Sequence, residues 1–377
     1  MAILAFDIGG SSVKYAVVDA EGKILEKSKK PTPETRDGFF ALAKGIQTSK
    51  KGKILMKRYP MKLIAPLKDY LWGGTRLKDE YGKKTDLDIV AESWELACHK
   101  DGKSVIANGS AQGMTLEAWL AEQKEDMLGT HVAEFPYFPL LIKLIDARGN
   151  LSVQVHPDND YAQRVEGEYG KTEMWYIVDC EPGASLLYGF KSEISKEEFE
   201  RRIKDNTLLD VVSRVPVHKG DVFFIDSGTL HAIGEGILIC EIQQNSNTTY
   251  RIYDYGRVGK DGKPRELHVA KALDVTNLEP PKAHPMMTTD MDIFAGAKAR
   301  LLASCEYFTT YHVAIDGKAH LFCGDDSFQS FTVLSGKLML EAGDDEVTYQ
   351  KGETAFLPAG LGKYTLKGTG DFVLSKL

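Results

Sequence analysis

The sequence has few cysteines and no pattern among them. Its five (Cys98, Cys180, Cys240, Cys305 and Cys323) include no CxxC pair. An odd, unclustered set of this kind reads as reduced thiols in the cytosol, not as a disulfide framework. Long apolar runs are also missing. The longest, Phe135 to Ile145, holds two prolines and Lys143 and is too short to span a bilayer. The opening MAILAFDIGG has no basic region and breaks at Asp7, which argues against a secretory leader. Nor is there an excess of positive charge. The net charge of −7 and pI near 5.8 disfavour a nucleic-acid binder, which would carry a basic face. These absences lead to the expectation of a cytoplasmic protein without membrane or nucleic-acid partners. No oligomer is predicted.

What remains is ordinary globular composition, 43% hydrophobic and 27% charged over 377 residues, enough for two or three domains. The chain is organised around Leu151–Trp175. In LSVQVH the aliphatic Leu151, Val153 and Val155 alternate with Ser152, Gln154 and His156, so a strand puts the polar three on one face. Pro157 ends that strand because it cannot donate to a ladder. After a polar loop, a second strand runs from Met174 to Val178 with Glu173 at its mouth. An amide oxygen, an imidazole and a carboxylate facing one cavity suit zinc or another divalent ion. His231 in SGTLHAI supplies a further ligand. Against this stands the reading that QVHPDN and GTLHAI are unrelated strand ends.

Other segments add candidates. Lys143 interrupts the apolar strand FPLLIKLID, where a lysine is costly unless it meets an anion; it either faces a ligand or snorkels to the surface. Trp72 precedes a glycine pair that permits close backbone approach, so it either lines a pocket or packs in the core. His99, beside a His-Lys-Asp-Gly-Lys turn, is expected at the surface. Glu241 and Arg251 flank a loop rich in Asn, Ser and Thr that can return both to one cavity, where an arginine anchors phosphate or developing negative charge. Each could instead be structural: a strand-end acid and a salt-bridged base. Helices are expected over 114–128 and 195–212, the latter opening on a capping box from Ser195 to Glu198. Finally, KGDVFFIDSG (219–228) and KGETAFLPAG (351–360) repeat one turn–strand–turn unit, typical of a β-sandwich or small barrel. The second copy has Lys363 where the first has His231, so it is expected to hold no metal.

Two resemblances follow. DIGGSSVKYAVVD near the N-terminus resembles the opening hairpin of the sugar kinases called ROK, over roughly the first 45 residues, with nothing later to complete such a kinase. The lysine-rich stretch 44–60 then reads as a junction. From about Leu63 onward, the motifs LWGG, FPLLIKLID, LSVQVHPDN, GKTEMWYI, SGTLHAI, QQNSNTTYRIYDYGR and RELHVAKAL resemble, in order, the type I mannose-6-phosphate isomerases of the short bacterial kind.

That resemblance implies a mainly β fold: two cupin-type β-barrels or jelly rolls with a helical insertion, plus the short N-terminal β-hairpin fragment. The implied division is 1–50 for the kinase-like fragment and junction, 54–280 for the catalytic cupin domain, and 281–377 for a C-terminal cupin-like domain without metal ligands. It also implies one zinc per chain, held by Gln154, His156, Glu173 and His231, and a sugar-phosphate substrate converted between mannose 6-phosphate and fructose 6-phosphate through an enediol. Arg251 matches the family's catalytic arginine. Lys143, Ser152, Lys171 and Trp72 fall at the phosphate and substrate pocket. Glu241 is the candidate base, with a zinc-bound water as rival.

Overall fold

The computed structural model describes residues 3–8, 12–18, 24–31, 58–123, 127–259, 262–282, 290–291 and 293–377. The chain divides into two compact units, Met1–Lys57 and Arg58–Leu377. In the first, Ile3–Ile8, Ser12–Val18 and Ile24–Pro31 form an antiparallel sheet in chain order. The glycine turn at 9–11 of the kinase-like hairpin and most of the 44–60 junction lie outside the described residues.

The second unit is built mainly of strands. A six-stranded sheet runs in the order Val222–Ile225, Glu173–Cys180, Ile237–Gln244, Leu140–Ala147, Glu92–Leu96, Leu67–Lys68. Its central strands, LLIKLIDA and ILICEIQQ, are buried along their whole length, as near-continuous apolar runs covered on both faces should be. A five-stranded sheet runs Val212–Pro216, Ser185–Phe190, His231–Ala232, Val153–Val155, Tyr250–Tyr253. One apolar cluster joins the two, with Ile145, Trp175, Ile177, Ile237 and Ile239 from the first meeting Leu186 and neighbours of the second. A further cluster packs Val153, Val155 and Tyr250 against Phe199 and Ala272 of the helices Lys196–Lys204 and Val269–Val275. The first of these helices starts where its cap predicts, with the Glu198 amide donating to Ser195 Oγ at 3.1 Å. It stops at Lys204, well short of 212, because Asn206 turns left-handed (φ 56°). The other expected helix is described over Leu116–Gln123, with Thr115 accepting from the Ala118 amide, and residues 124–126 of its expected span lie outside the described residues.

The last sheet has nine strands and wraps its own core of Phe331, Leu338, Tyr349, Leu366 and Phe372. Two of its strands, Met61–Ile64 and Val105–Ile106, come from far earlier in the chain. The sequence repeat is a repeat of backbone. Gly220 and Gly352 turn left-handed (φ 91° and 84°) ahead of the strands Val222–Ile225 and Thr354–Leu357, and Gly228 and Gly360 do so after them (φ 84° and 74°). Only glycine enters that region without strain. One surface expectation fails: His99 is 5% exposed, packed edge-on to Trp94 with Nε2 3.7 Å from Glu168. The turn that follows it stays exposed at Lys100 and Asp101, while Asn245 donates its side-chain amide to the Cys98 carbonyl just before His99. Among the described residues no helix is long and apolar enough to cross a membrane.

Candidate metal centre and substrate cavity

Two rungs of side chains, one per sheet, build the site. In the five-stranded sheet Gln154 pairs with His231 on one side and Arg251 on the other. In the six-stranded sheet Trp94, Lys143, Glu241 and Trp175 fall in register across adjacent strands. Period-two geometry then sends each rung's side chains to a common face. His156 follows the end of its strand, and Glu173 opens the strand that pairs through Ile225 with the repeat unit ahead of His231.

His156, Glu173 and His231 converge. One ligand atom from each lies within 4.8 Å of the others, the one such group among the described residues. His156 Nδ1–H donates to the Thr248 carbonyl at 2.9 Å and His231 Nδ1–H to that of Thr229 at 2.8 Å. A carbonyl accepts only from an N–H, so each Nε2 keeps a lone pair, and both face Glu173 Oε1, at 3.9 and 3.5 Å. Burial holds His156 well below the usual imidazole range and His231 down to about 4, so both are neutral, the ligand form, near neutral pH. Glu173 is fully buried, and its Oε1 accepts no hydrogen bond. Burial and the charge of Glu241 push its pKa up. Two imidazole lone pairs, that of His156 shared with the Lys171 ammonium at 3.1 Å, aimed at an unsatisfied carboxylate oxygen fit a divalent, borderline-soft cation. The Gln154 amide stands 3.4 Å from His231 Nε2, close enough to add an oxygen after a side-chain flip.

Beside this group lies a cavity of about 240 Å³. Its walls include every other candidate the sequence supplied: Trp72, Lys143, Ser152, Lys171, Glu241 and Arg251. Lys143 is 3% exposed, its ammonium 3.2 Å from Glu241 and 3.7 Å from Glu92. Burial opposes its charge, yet the two carboxylates raise its pKa above the ordinary value. Burial likewise works to raise Glu241, but Lys143 and Lys171 overcome it and hold that carboxyl well below the usual range. Trp175 Nε1 donates to Glu241 Oε2 at 2.8 Å. Lys171 lies 2.9 Å from Glu173 Oε2 and 3.1 Å from His156 Nε2. Arg251 is less committed, with Nη1 donating to the Glu266 carbonyl and a buried Nε that has no acceptor. Trp72 fulfils both of its readings, lining the cavity and packing in the core. Its glycine pair is needed there, because a Cβ on Gly73 would meet Ala91 at 2.5 Å and one on Gly74 would meet Asp146 at 2.3 Å.

Sequence reasoning missed Glu92, Tyr70, Asn247, Thr249 and Arg265, which also line the cavity. Glu92 and Trp94 alternate in AESWEL and so share a face, the one local signal available for Glu92.

Comparison with known proteins agrees with this architecture. Residues 61–179 match the family described as phosphomannose isomerase type I, catalytic domain, and residues 298–377 the mannose-6-phosphate isomerase cupin domain. The mannose-6-phosphate isomerase ManA of Bacillus subtilis is 38% identical over 324 residues, covering 85% of this chain and 100% of the relative. A mannose-6-phosphate isomerase of Streptococcus mutans is 35% identical over 317 residues, 84% of this chain and 98% of the relative. A crystal structure of the mannose 6-phosphate isomerase from Bacillus subtilis superimposes with a TM-score of 0.78 at 36% identity, covering 84% of this chain and 99% of that one.

Proposed function

Given that the chain belongs to the type I phosphomannose isomerases, we propose that it is a zinc enzyme interconverting mannose 6-phosphate and fructose 6-phosphate through an enediol. The observation that carries this is the convergence of two imidazole lone pairs on the unsatisfied Glu173 oxygen, at the edge of a cation-rich cavity. Zinc held by His156, Glu173, His231 and Gln154 would polarise the sugar oxygens on C1 and C2.

The chain's own groups then divide the work. Glu241 is ionised, fixed by Trp175 and Lys143, and takes the proton from C2 of the open-chain aldose. The C2 hydroxyl proton passes to the C1 oxygen, and the proton held by Glu241 returns to C1 as the enediol collapses to the ketose. Lys143 stays beside it as a fixed positive charge. Lys143 is already matched by two carboxylates and Lys171 by Glu173. Arg251, with Ser152 beside it on the cavity wall, is therefore the better phosphate anchor, and fixing the phosphate fixes the reacting carbons. Residues 1–50 are read as a fragment of ROK-kinase type without kinase activity, and the protein as cytoplasmic.

The test is turnover of mannose 6-phosphate by protein purified without chelator, with metal analysis alongside. Stoichiometric zinc, loss of turnover in chelator and recovery on adding zinc are expected. Full turnover by metal-free protein overturns the proposal, and would favour a cupin isomerase or epimerase that needs no metal.

A further inference from the structure

Glu92 has no part in the scheme above, yet its surroundings are those of a ligand-facing group. It sits on Glu92–Leu96, next to the Lys143 strand and on the far side of it from Glu241. It is 7% exposed and lines the cavity. One of its oxygens is fully occupied: Oε2 accepts from Trp94 Nε1 at 2.7 Å and lies 3.7 Å from the Lys143 ammonium. The arrangement mirrors the other side of Lys143, where Trp175 clamps Oε2 of Glu241. Two indole-clamped carboxylates thus flank one ammonium. Glu92 Oε1 has no hydrogen-bond donor among the described residues. Its orientation is fixed, because the clamp on Oε2 leaves Oε1 no freedom to turn away.

A charged, oriented acceptor on the wall of a sugar site has one natural partner, a hydroxyl. If Glu241 works at C1 and C2, as proposed above, the carboxylate on the other side of Lys143 lies alongside the carbons that follow. We propose that Glu92 is a specificity-determining residue whose Oε1 accepts a hydrogen bond from the C3 or C4 hydroxyl of the hexose phosphate. A phosphate cannot be its ligand, since two like charges would face each other in a buried wall. A site that pairs a buried polar group with a substrate hydroxyl discriminates strongly against the analogue lacking it, because the carboxylate is then left unpaired. Phosphosugars that fit the cavity but lack the hydroxyl would be excluded in this way.

The test compares the wild-type enzyme and Glu92→Gln on mannose 6-phosphate, 3-deoxymannose 6-phosphate and 4-deoxymannose 6-phosphate. Glu92→Gln keeps an oxygen for Trp94, and unchanged metal content and melting temperature serve as controls. Wild-type turnover of mannose 6-phosphate checks the underlying reading independently. The wild type should lose at least about 100-fold in kcat/KM on one of the two deoxy sugars. Glu92→Gln should lose about 10- to 100-fold on mannose 6-phosphate, chiefly through KM, and little further on that same deoxy sugar. A mutant equally impaired on all three sugars would mean that Glu92 acts only through Lys143, and overturns the proposal. So does a wild type indifferent to both deletions, a result that stands even if the variant fails to fold.

Discussion

Lys143 and Glu241 stand directly opposite each other on the two central strands of the catalytic sheet, ammonium to carboxylate 3.2 Å, both almost fully buried. Neither charge has water to fall back on, so each depends on the other. Removing one partner of a buried pair typically costs about 3–5 kcal/mol, because the survivor stays charged and unpaired. Lys143→Met is therefore expected to lower stability by about that amount, leaving Glu92 and Glu241 without the ammonium between them and only the field of Lys171 to offset Glu241. Glu241→Gln should cost less, since Glu92 still meets the lysine and the amide oxygen still accepts from Trp175. Its activity should fall about 100- to 10,000-fold in kcat, the range for losing a general base. Denaturant melts of both variants and steady-state kinetics of the second check this. A Glu241→Gln enzyme with normal kcat would remove Glu241 from the chemistry.

His231→Ala takes away one of the two lone pairs aimed at Glu173 Oε1. We expect the purified variant to hold little metal and to lose turnover by at least about 1,000-fold, since only His156, Glu173 and the amide of Gln154 would remain, one imidazole where the site had two and an amide oxygen that is a poor zinc donor. Metal analysis separates this from a structural effect. A variant with full metal and poor turnover would assign His231 some other task.

The residues of the candidate metal group were legible because each announces itself locally. Gln154 and His156 share a strand face closed by Pro157, and His231 follows a left-handed glycine that recurs in the repeat. Lys143 was legible as an anomaly, a lysine in an apolar strand. Its second partner was not. Glu92 meets Lys143 across a register that slips between Ile142 and Lys143, and such a slip leaves no mark in either strand's own sequence. His99 failed for a related reason: its turn is solvated as it reads, but the ring itself is buried by Trp94 and by Glu168, which arrives from elsewhere in the chain. The nine-stranded sheet shows the same limit, since nothing in MKLI indicates that it will pair with TAFL.

Asp254 predicts an acid limb to the stability curve. It is 6% exposed and takes hydrogen bonds from Arg257 and Arg265, the latter at 2.7 Å from Nε. Burial works to raise its pKa, but the bonds from Arg265 and Arg257 win and the folded value lies below the ordinary one. A depressed folded pKa gives stability that is fully present above the unfolded value of about 4. That stability is lost as pH falls through the folded value. Asp254→Asn should therefore be less stable at pH 7, by about 2 kcal/mol at most given the partial solvent contact of the arginines, and its stability should fall less steeply below pH 4. Urea midpoints from pH 3 to 7 report both effects. Because Arg265 lines the cavity, the same variant should raise KM for mannose 6-phosphate. An unchanged acid limb would show that Asp254 titrates normally.

Removal of residues 1–50 should leave the isomerase intact. The two sheets that carry the metal group and cavity, and the nine-stranded sheet, are all formed from residues of the Arg58–Leu377 unit. The ManA relative is matched along 100% of its length by 324 residues of this chain, so a complete enzyme of this family needs no more than that. The truncated protein is expected to keep kcat and KM within about twofold and its zinc content unchanged. The N-terminal unit should in turn add no ATP-dependent phosphorylation of glucose to the full chain, because nothing later in the sequence completes the kinase that DIGGSSVKYAVVD resembles. An ADP-coupled assay on the full-length protein, repeated with Asp7→Ala, tests that second half. Turnover that vanishes with Asp7 would make the first 50 residues a working catalyst. A truncated protein that folds but does not isomerise would make them part of this one.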